Sequence, residues 1–314
     1  MFEKILKSNY NIETKSITQI EGGWSALAYI VEDFDNIKYL LKVYEKSRAS
    51  TTYLTSKIDS YMPIIEWLNV NTKLKGKIIH PLSTLSGSFK CADKENIYLL
   101  STYIEGGNLL GHDLATSQVQ DLASIVAKLH SYGKDISINT QVIKEDFDIE
   151  FTNKIISHLE QINTLKVPLK ELILPSILHI QDGIKLLTEL CAVLKNSSLN
   201  YYLCHTDIHE GNILQTESGI VLIDWEGLKL APPEADFFDI VRRDWQSTFF
   251  KKYREIHPNY EINLDCLKFY QLRRILEDIW EFIEQIQYDE LSEKKQKVSL
   301  AYLESECLTV KNYF

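Results

Sequence analysis

The sequence predicts an α+β fold with two lobes, a small N-lobe built on an antiparallel sheet and a larger, mainly helical C-lobe. Apolar residues recur with a period of two in the first hundred residues and with a period near 3.6 from Thr116 onward. The segment 105–108, Glu-Gly-Gly-Asn, separates the two patterns. The chain of 314 residues is longer than one ordinary domain, so two lobes are expected. We divide them at this segment, with the N-lobe at 1–104, the C-lobe at 105–314 and a hinge at about 101–106.

Three segments near the start of the chain are rich in β-branched and aromatic residues, which favours strands. They are 16–20, 26–32 and 37–44. The residues 33–36 have the composition of a hairpin turn, so we expect the last two strands to pair antiparallel.

A helix and two more strands are predicted to complete the N-lobe. The helix covers about 52–70, and Pro63 should begin or kink part of it because proline lacks a backbone N–H donor. The strands are expected near 77–85 and 97–104.

The C-lobe is predicted to consist of helices around one island of strand and loop at 201–230. Its first helix begins near Thr116, which can cap the N-terminus together with Ser117, and Gly133 can close its end. Four further helices are expected at 147–162, at 175–194, and at two places after Asp236, including 264–286.

Composition excludes several classes of function. There are 34 Lys and Arg against 44 Asp and Glu, which gives a net charge of −10, so a basic surface for nucleic acid is not expected. The negative charge suits a cationic small-molecule partner. Five cysteines without a CxxC pair predict a reduced, cytoplasmic protein. A membrane span is not predicted, because the sequence has no apolar window of about 18 residues. The sequence leaves the oligomeric state open.

The island at 201–230 contains the residues that favour a chemical function. His205, Asp207 and Asn212 follow one short strand, and Asp224 follows an apolar strand about a dozen residues later. Phosphoryl transfer needs a carboxylate to orient the attacking hydroxyl and oxygen ligands for Mg²⁺. Asp207 can supply the first, and Asn212 with Asp224 can supply the second. A zinc site at His205 and His209 is a weaker alternative, because no further ligands cluster there.

The motif His205-x-Asp207-x-x-x-x-Asn212 matches the catalytic loop of protein kinases, and Asp224 stands where kinases have their metal-binding Asp. The longer stretches HTDIHEGNIL and LIDWEGLKLAPPEAD resemble the aminoglycoside phosphotransferase and choline-kinase-like family, and within it the spectinomycin phosphotransferases most. The resemblance implies a protein-kinase-like bilobal fold that uses ATP or GTP with Mg²⁺. The N-lobe would then be the nucleotide-binding lobe.

The resemblance also implies roles for individual residues. Asp207 resembles the catalytic base, His205 the residue that braces its loop, and Asn212 and Asp224 the metal ligands. Lys42 resembles the strand lysine that contacts the nucleotide phosphates, with Asp59 as the first candidate for its helix partner and Glu66 as the second. Other residues implied in nucleotide binding are Gly22, Gly23 and Ser25 in an incomplete glycine-rich loop, and Ser101, Thr102, Tyr103 and Ile104 in the hinge.

The acceptor site is predicted from charge and aromatic character. Glu226, Glu277, Asp278 and Trp280 could hold an aminated ring by charged hydrogen bonds and an aromatic face. The resemblance implies that the protein phosphorylates a hydroxyl of an aminocyclitol or aminoglycoside, with spectinomycin as the first candidate, and these residues suit such a substrate. A metabolite kinase for choline, a sugar or homoserine is an alternative, as is a non-catalytic binding protein of the same fold.

Overall fold

The computed structural model describes residues 2–20, 26–48, 50–133 and 136–313. The chain forms two compact units. Unit 1 comprises Met1–Ser47, Thr51–Lys144 and Tyr201–Tyr260, and unit 2 comprises Arg48–Ser50, Glu145–Asn200 and Glu261–Phe314. The island at 201–230 thus belongs to the same compact unit as the first strands. The lobe boundary after residue 104 stays a prediction.

The regular elements are numbered in chain order. The strands are β1 Thr14–Ile20, β2 Leu27–Asp33, β3 Lys38–Glu45, β4 Lys90–Ala92, β5 Asn96–Thr102, β6 Gly107–Asn108, β7 Tyr202–Cys204, β8 Ile213–Thr216, β9 Gly219–Leu222 and β10 Lys229–Ala231. The α-helices are α1 Phe2–Tyr10, α2 Thr51–Ser56, α3 Ile58–Asn71, α4 Thr116–Leu129, α5 Phe151–Glu160, α6 Val167–Ile173, α7 Ile177–Lys195, α8 Glu234–Phe237, α9 Gln246–Tyr253, α10 Leu264–Tyr288 and α11 Glu293–Tyr313.

Unit 1 contains a five-stranded antiparallel sheet in the order β1-β2-β3-β5-β4. Its first three strands lie within two residues of the predicted segments. The turn between β2 and β3 is held by the Asp33 carboxylate, which accepts the amides of Asp35 and Ile37 at 2.9 and 2.8 Å. Asn36 adopts a φ of 61°, a conformation that asparagine tolerates well. The composition of the turn therefore predicted its geometry.

Two predictions for the N-terminal hundred residues were wrong in detail. The helix predicted at 52–70 is interrupted at Lys57, and Pro63 lies inside α3 without ending it. The strand predicted at 77–85 is an irregular segment with two isolated bridges, Ile78 to Leu222 and Pro81 to Ser101. Because proline has no backbone N–H to donate, the segment at Pro81 does not form a continuous ladder, and the edge strand beside β5 is the short β4.

The sheet has an apolar core on the side covered by α1. Leu6 of α1 is completely buried with Val31 and Leu41. Tyr98 and Leu100 of β5 belong to the same core. This packing holds β3 and β5 in fixed positions, and both strands lead to candidate site residues.

The remainder of unit 1 surrounds the island. β7 pairs with β10, and β8 pairs with β6 and β9, in each case antiparallel. α4 begins near Thr116 as predicted, but its N-cap is Ala115, whose amide donates to the Gln118 side chain at 2.7 Å, and it ends at Leu129 with His130 rather than Gly133 at its C-terminus.

Unit 2 is a helical bundle of α5, α6, α7, α10 and α11. Gly183 on α7 packs beside α10 and α11, and a Cβ there would make ordinary van der Waals contacts, 3.4 Å from Val310 and 3.5 Å from Leu272. The helix predicted at 147–162 begins only at Phe151, because Phe147 has a φ of 55° and cannot continue a right-handed helix. Two helices were predicted after Asp236, whereas three α-helices, α9, α10 and α11, lie there among the described residues.

A buried ion pair stabilises unit 2. Glu145 is fully buried at its side chain and lies 3.1 Å from Arg273 of α10. The amide of Phe147 also donates to Glu145, at 2.9 Å.

Within the described ranges no helix combines the length and apolar character that a membrane crossing requires.

Candidate active site

The motif from His205 to Asn212 forms the loop between β7 and β8, and Asp224 lies two residues after β9. Unit 1 therefore contains all four residues that the sequence assigned to catalysis and metal binding. Thr206 and Asp224 have φ values of 70° and 66°. Non-glycine residues rarely adopt this conformation, which costs on the order of 1–3 kcal/mol and occurs often at functional sites.

His205 connects the loop to the strand that precedes Asp224. Its ring is completely buried. Nε2 donates to the carbonyl of Ile223 at 2.8 Å, and Nδ1 accepts the amide of Asp207 at 3.2 Å. Burial lowers the pKa of His205, so the ring is neutral, as this arrangement requires. Both ring nitrogens are occupied, which removes His205 as a zinc ligand and supports a bracing function.

Asp236, at the start of α8, holds the backbone of the same loop. Its carboxylate accepts the amide of His205 at 3.1 Å and that of Thr206 at 2.5 Å. Two hydrogen bonds to one buried carboxylate fix the peptide that leads into Asp207. The strained conformation of Thr206 is thereby maintained.

A buried histidine completes this support. His130 contacts Asp236 through Nε2 and the Tyr253 hydroxyl through Nδ1, each at 2.9 Å. The ligand atoms of His130, Cys204 and Asp236 lie within 4.8 Å of one another. Because both nitrogens of His130 already have hydrogen-bond partners, we interpret the group as a structural network rather than a metal site.

Asp207 and Asn212 are in direct contact. The Asn212 amide nitrogen donates to the backbone carbonyl and to the Oδ2 atom of Asp207, both at 2.9 Å. His209 Nε2 lies 3.7 Å from the same carboxylate oxygen. Because the side-chain nitrogen of Asn212 donates to Asp207, its amide oxygen is the atom that can coordinate a metal ion.

Lys42 on β3 lies against two acidic residues of the island. Its ammonium forms ion pairs with Asp224 and, at 2.6 Å, with Glu226. The Tyr44 hydroxyl donates to the same Glu226 oxygen at 2.7 Å. Lys42 is 24% exposed and Glu226 16% exposed, so water screens the cluster only in part.

The charges in this cluster shift one another's pKa values. Burial lowers the pKa of Lys42, but the two carboxylates raise it more, so the ammonium stays charged. Burial alone would raise the pKa of Asp224, but Lys42 holds it below its usual value. Burial and the neighbouring Asp224 raise the pKa of Glu226. The three groups thus form a site adapted to positive charge.

The pairing predicted for Lys42 was wrong. Asp59 lies 3.2 Å from Lys90 and 3.1 Å from the Ser88 hydroxyl, and its side chain is 49% exposed. The inward face of α3 carries Ile58, Tyr61 and Ile65 instead. Asp59 and Glu66 are seven positions apart and share another face, so neither is an ion-pair partner of Lys42 among the described contacts.

Glu226 also differs from its prediction as an acceptor ligand, because its carboxylate is directed to Lys42 and Tyr44. Sequence reasoning missed Tyr44, whose hydroxyl donates to this carboxylate. Tyr44 lies two residues after Lys42, and the strand period of two places both on one face. That period could have indicated Tyr44 as a neighbour of Lys42. Glu226 is 184 positions away from Lys42, and no sequence pattern predicts their contact.

The predicted hinge overlaps the last two residues of β5 and continues beyond it. The amides of Thr102 and Tyr103 donate to the carbonyls of His80 and Lys38, at 3.0 and 3.1 Å. Ser101 pairs with Leu40 within the sheet. These contacts make the end of β5 rigid. The predicted phosphate loop, Gly22, Gly23 and Ser25, lies outside the described residues.

The other predicted acceptor residues lie on α10 in unit 2, where each has an internal partner. Glu277 pairs with Arg273 and Asp278 with Arg274, both at 2.8 Å. Trp280 is 9% exposed, with Lys154 4.9 Å from its ring centroid. An acceptor at these residues would have to compete with cations of the protein itself.

The fold and the site together define the class of kinase-like phosphotransferases. They combine an antiparallel sheet and a helical region with the grouping of Asp207, Asn212, Asp224 and Lys42. Residues 16–270 match the model of the phosphotransferase enzyme family, and the chain belongs to that family. No curated protein sequence matches the chain significantly.

Solved structures show the same fold. The chain is similar to a spectinomycin phosphotransferase solved with ADP and spectinomycin, with a TM-score of 0.72, 22% identity, and coverage of 99% of this chain and 97% of that one. It is also similar to an amicoumacin kinase (TM-score 0.63, 15% identity, 97% and 91% coverage) and to a microcompartment-associated aminopropanol kinase (TM-score 0.59, 14% identity, 95% and 92% coverage). At these identities the likeness establishes the fold alone.

Proposed function

We propose that this protein transfers the γ-phosphoryl group of ATP or GTP to a hydroxyl group of an aminocyclitol or aminoglycoside, with spectinomycin as the first candidate acceptor. The observation that carries the proposal is the grouping of Asp207, Asn212 and Asp224 with Lys42 in one unit. Phosphoryl transfer depends mainly on positioning and on charge stabilisation, and these residues supply both.

Asp207 is the proposed catalytic base. The Asn212 amide fixes its carboxylate, and the His205 and Asp236 contacts fix its backbone. An acceptor hydroxyl hydrogen-bonded to Asp207 would be oriented for attack and would give its proton to this carboxylate as the new P–O bond forms. His205 is a positioning residue in this scheme.

Asn212 and Asp224 are the proposed ligands of Mg²⁺. The donor set fits, because the ion prefers hard oxygen atoms and commonly takes one or two carboxylates from a protein. The Lys42 ammonium beside Asp224 supports this assignment, since it shows that the site accepts a cation. When bound, the ion would neutralise charge on the nucleotide phosphates.

Lys42 is proposed to contact the nucleotide phosphates. Because the amides of Thr102 and Tyr103 already have carbonyl partners, the base is proposed to bond to the remaining backbone groups of the segment from Ser101 to Ile104. The contribution of Ser101 is to fix the strand end. Gly22, Gly23 and Ser25 keep their predicted function as a backbone cradle for phosphate.

The acceptor class rests on the net charge of −10 and on similarity to the structure that contains spectinomycin. Glu277, Asp278 and Trp280 remain the proposed acceptor contacts. Their pairing with Arg273, Arg274 and Lys154 favours a second candidate, a kinase for a smaller metabolite such as choline, a sugar or homoserine, because it reduces the negative charge available to a polycation.

A phosphorylation screen tests the proposal. Purified protein is incubated with Mg²⁺ and ATP or GTP and a panel of spectinomycin, other aminoglycosides, choline, sugars and homoserine, and products are identified by mass. We expect one aminocyclitol or aminoglycoside to gain a single phosphoryl group, with Asp207→Asn as the inactive control. Choline, a sugar or homoserine as the best acceptor would support the second candidate. Nucleotide binding without any phosphorylated product would indicate a binding protein.

A further inference from the structure

His209 lies between Asp207 and Asn212 in the loop that joins β7 to β8, and the proposed function gives it no task. Its side chain folds back over this loop, where Nδ1 accepts the amide of Gly211 at 3.0 Å. A ring nitrogen that accepts a hydrogen bond carries no hydrogen, so the single N–H group of the imidazole is on the other nitrogen. The Nε2 atom of His209 is therefore a hydrogen-bond donor.

Gly211 leaves the space that this position of the ring needs. A Cβ at position 211 would lie 2.6 Å from Cε1 and 2.8 Å from Nδ1 of His209, so any larger residue would push the ring away. The backbone itself does not require glycine there, because Gly211 is outside the positive-φ region. The glycine thus serves the placement of the His209 ring.

The donor nitrogen of His209 lies beside the proposed base. Nε2 is 3.7 Å from Oδ2 of Asp207, which is longer than an N–H···O hydrogen bond. One oxygen atom of a ligand could nevertheless lie about 2.8 Å from both atoms and form a hydrogen bond with each. The side chains of His209 and Asp207 are 38% and 31% exposed, so a ligand can reach the two groups from solvent.

We propose that His209 is a further acceptor contact, whose Nε2–H group donates to the hydroxyl oxygen that Asp207 activates. This inference rests on the proposed function. The hydroxyl donates its own hydrogen to Asp207 and accepts one from His209, which leaves one lone pair for the γ-phosphorus. Its proton passes to Asp207 as the new P–O bond forms and the bond to the nucleotide breaks. His209 neither gains nor loses a proton.

The value of a second contact is orientation. A hydroxyl that is held only by Asp207 can turn about that hydrogen bond, whereas two contacts fix the direction of its attacking lone pair, and such alignment contributes to the rate. A water molecule can make the same two hydrogen bonds. Hydrolysis of ATP without an added acceptor should therefore depend on His209 in the same way.

Two substitutions separate the two nitrogens of the ring. His209→Asn keeps an oxygen near the place of Nδ1 for the Gly211 amide but removes the donor, whereas His209→Gln keeps an amide donor near the place of Nε2 but loses the first acceptor. The melting temperature should be unchanged in the asparagine variant and lower in the glutamine variant. The rate of ADP formation should fall roughly tenfold in the asparagine variant, the effect of one lost hydrogen bond, and less in the glutamine variant.

ADP formation from Mg-ATP is measured with water alone and with each compound of the phosphorylation screen. An unchanged rate in His209→Asn, or rates that follow the melting temperatures, would overturn this inference and leave the proposed function standing. If the unsubstituted protein forms no ADP under any of these conditions, the proposed function is refuted, and this inference with it.

Gly211→Ala tests the placement of the ring independently. It should slow ADP formation in the unsubstituted protein, because the added methyl group displaces the imidazole. It should have no further effect in His209→Ala, which has no ring to displace. Additive losses would show that Gly211 acts through the backbone and would overturn the ring placement on which the inference depends.

Discussion

At the scale of single residues, the site depends on side chains that hold other side chains. Asp207 is fixed by Asn212, and its backbone by His205, which also contacts the carbonyl before Asp224. One neutral imidazole thus ties the proposed base to the proposed metal ligand. Substitutions at Asp207 and at its supports should therefore have distinct kinetic signatures.

Asp207→Asn should lower kcat by about 10²-fold or more, because the amide cannot accept the proton from the attacking hydroxyl. The affinity for Mg-ADP should change little, since Asp207 is not a proposed nucleotide contact. The two quantities are measured by steady-state kinetics and calorimetry. Normal turnover in this variant would remove Asp207 from the reaction.

Asp224→Ala should abolish the dependence of nucleotide binding on metal, because it removes the charged ligand proposed for Mg²⁺. Calorimetric titration of ADP with and without Mg²⁺ measures this directly. We expect the two titrations to become alike in the variant. A preserved difference between them would exclude Asp224 as a ligand.

At the scale of elements, α3 shows how an apolar pattern decides the orientation of charged residues. The buried positions Ile58, Tyr61 and Ile65 turn Asp59 outward to Lys90. Asp59→Ala should consequently leave nucleotide affinity unchanged and alter the free energy of unfolding by less than about 1 kcal/mol, as for most exposed ion pairs. Calorimetry and urea unfolding provide the measurements. A marked loss of nucleotide affinity would restore Asp59 to the site.

The end of α9 should contribute to the pH dependence of stability. His257 donates from Nε2 to the carbonyl of Ala127 at 2.8 Å, and burial lowers its pKa below the usual 6.5. The unfolded chain then binds a proton at a higher pH than the folded one, so stability is lost as the pH falls below about 6.5.

His257→Gln should reduce this loss, because the glutamine amide can still donate to Ala127 but does not titrate. The melting temperature of both proteins is measured between about pH 7.5 and 5.5. The difference between the proteins should be larger at the lower pH and favour the variant. Parallel curves would assign the acid sensitivity to other groups.

Elements with strong local patterns could be predicted from the sequence, whereas contacts between distant segments could not. β2, β3 and α4 follow from periodicity and turn composition, both of which are local. The ion pair between Lys42 and Asp224 joins residues 182 positions apart. The positive φ of Phe147, which lies within a predicted helix, likewise could not be predicted from local propensity, because aromatic residues rarely adopt this conformation.

At the scale of the whole molecule, all residues proposed for phosphoryl transfer belong to unit 1, and the acceptor residues proposed on α10 belong to unit 2. The chemistry and the choice of acceptor are thus assigned to different parts of the chain. The fold is shared with the solved spectinomycin phosphotransferase and amicoumacin kinase.

The net charge predicts how acceptor binding responds to salt. For a cationic acceptor, KM should rise severalfold as ionic strength increases from about 0.02 to 0.5 M, because screening weakens attraction to a chain of charge −10. Initial rates at several salt concentrations test this, with a neutral acceptor from the screen as the control. A KM that does not depend on salt would argue against the charge-based acceptor model.

Gly106 lies close to β8, and this limits which residues can follow Glu105. A Cβ on Gly106 would lie 2.5 Å from the carbonyl oxygen of Gln215, whereas one on Gly107 would meet no described atom within 4 Å. Adjacent glycines thus differ sharply in mutational tolerance. A library of random variants selected for activity should retain glycine at position 106 and admit alanine or serine at position 107.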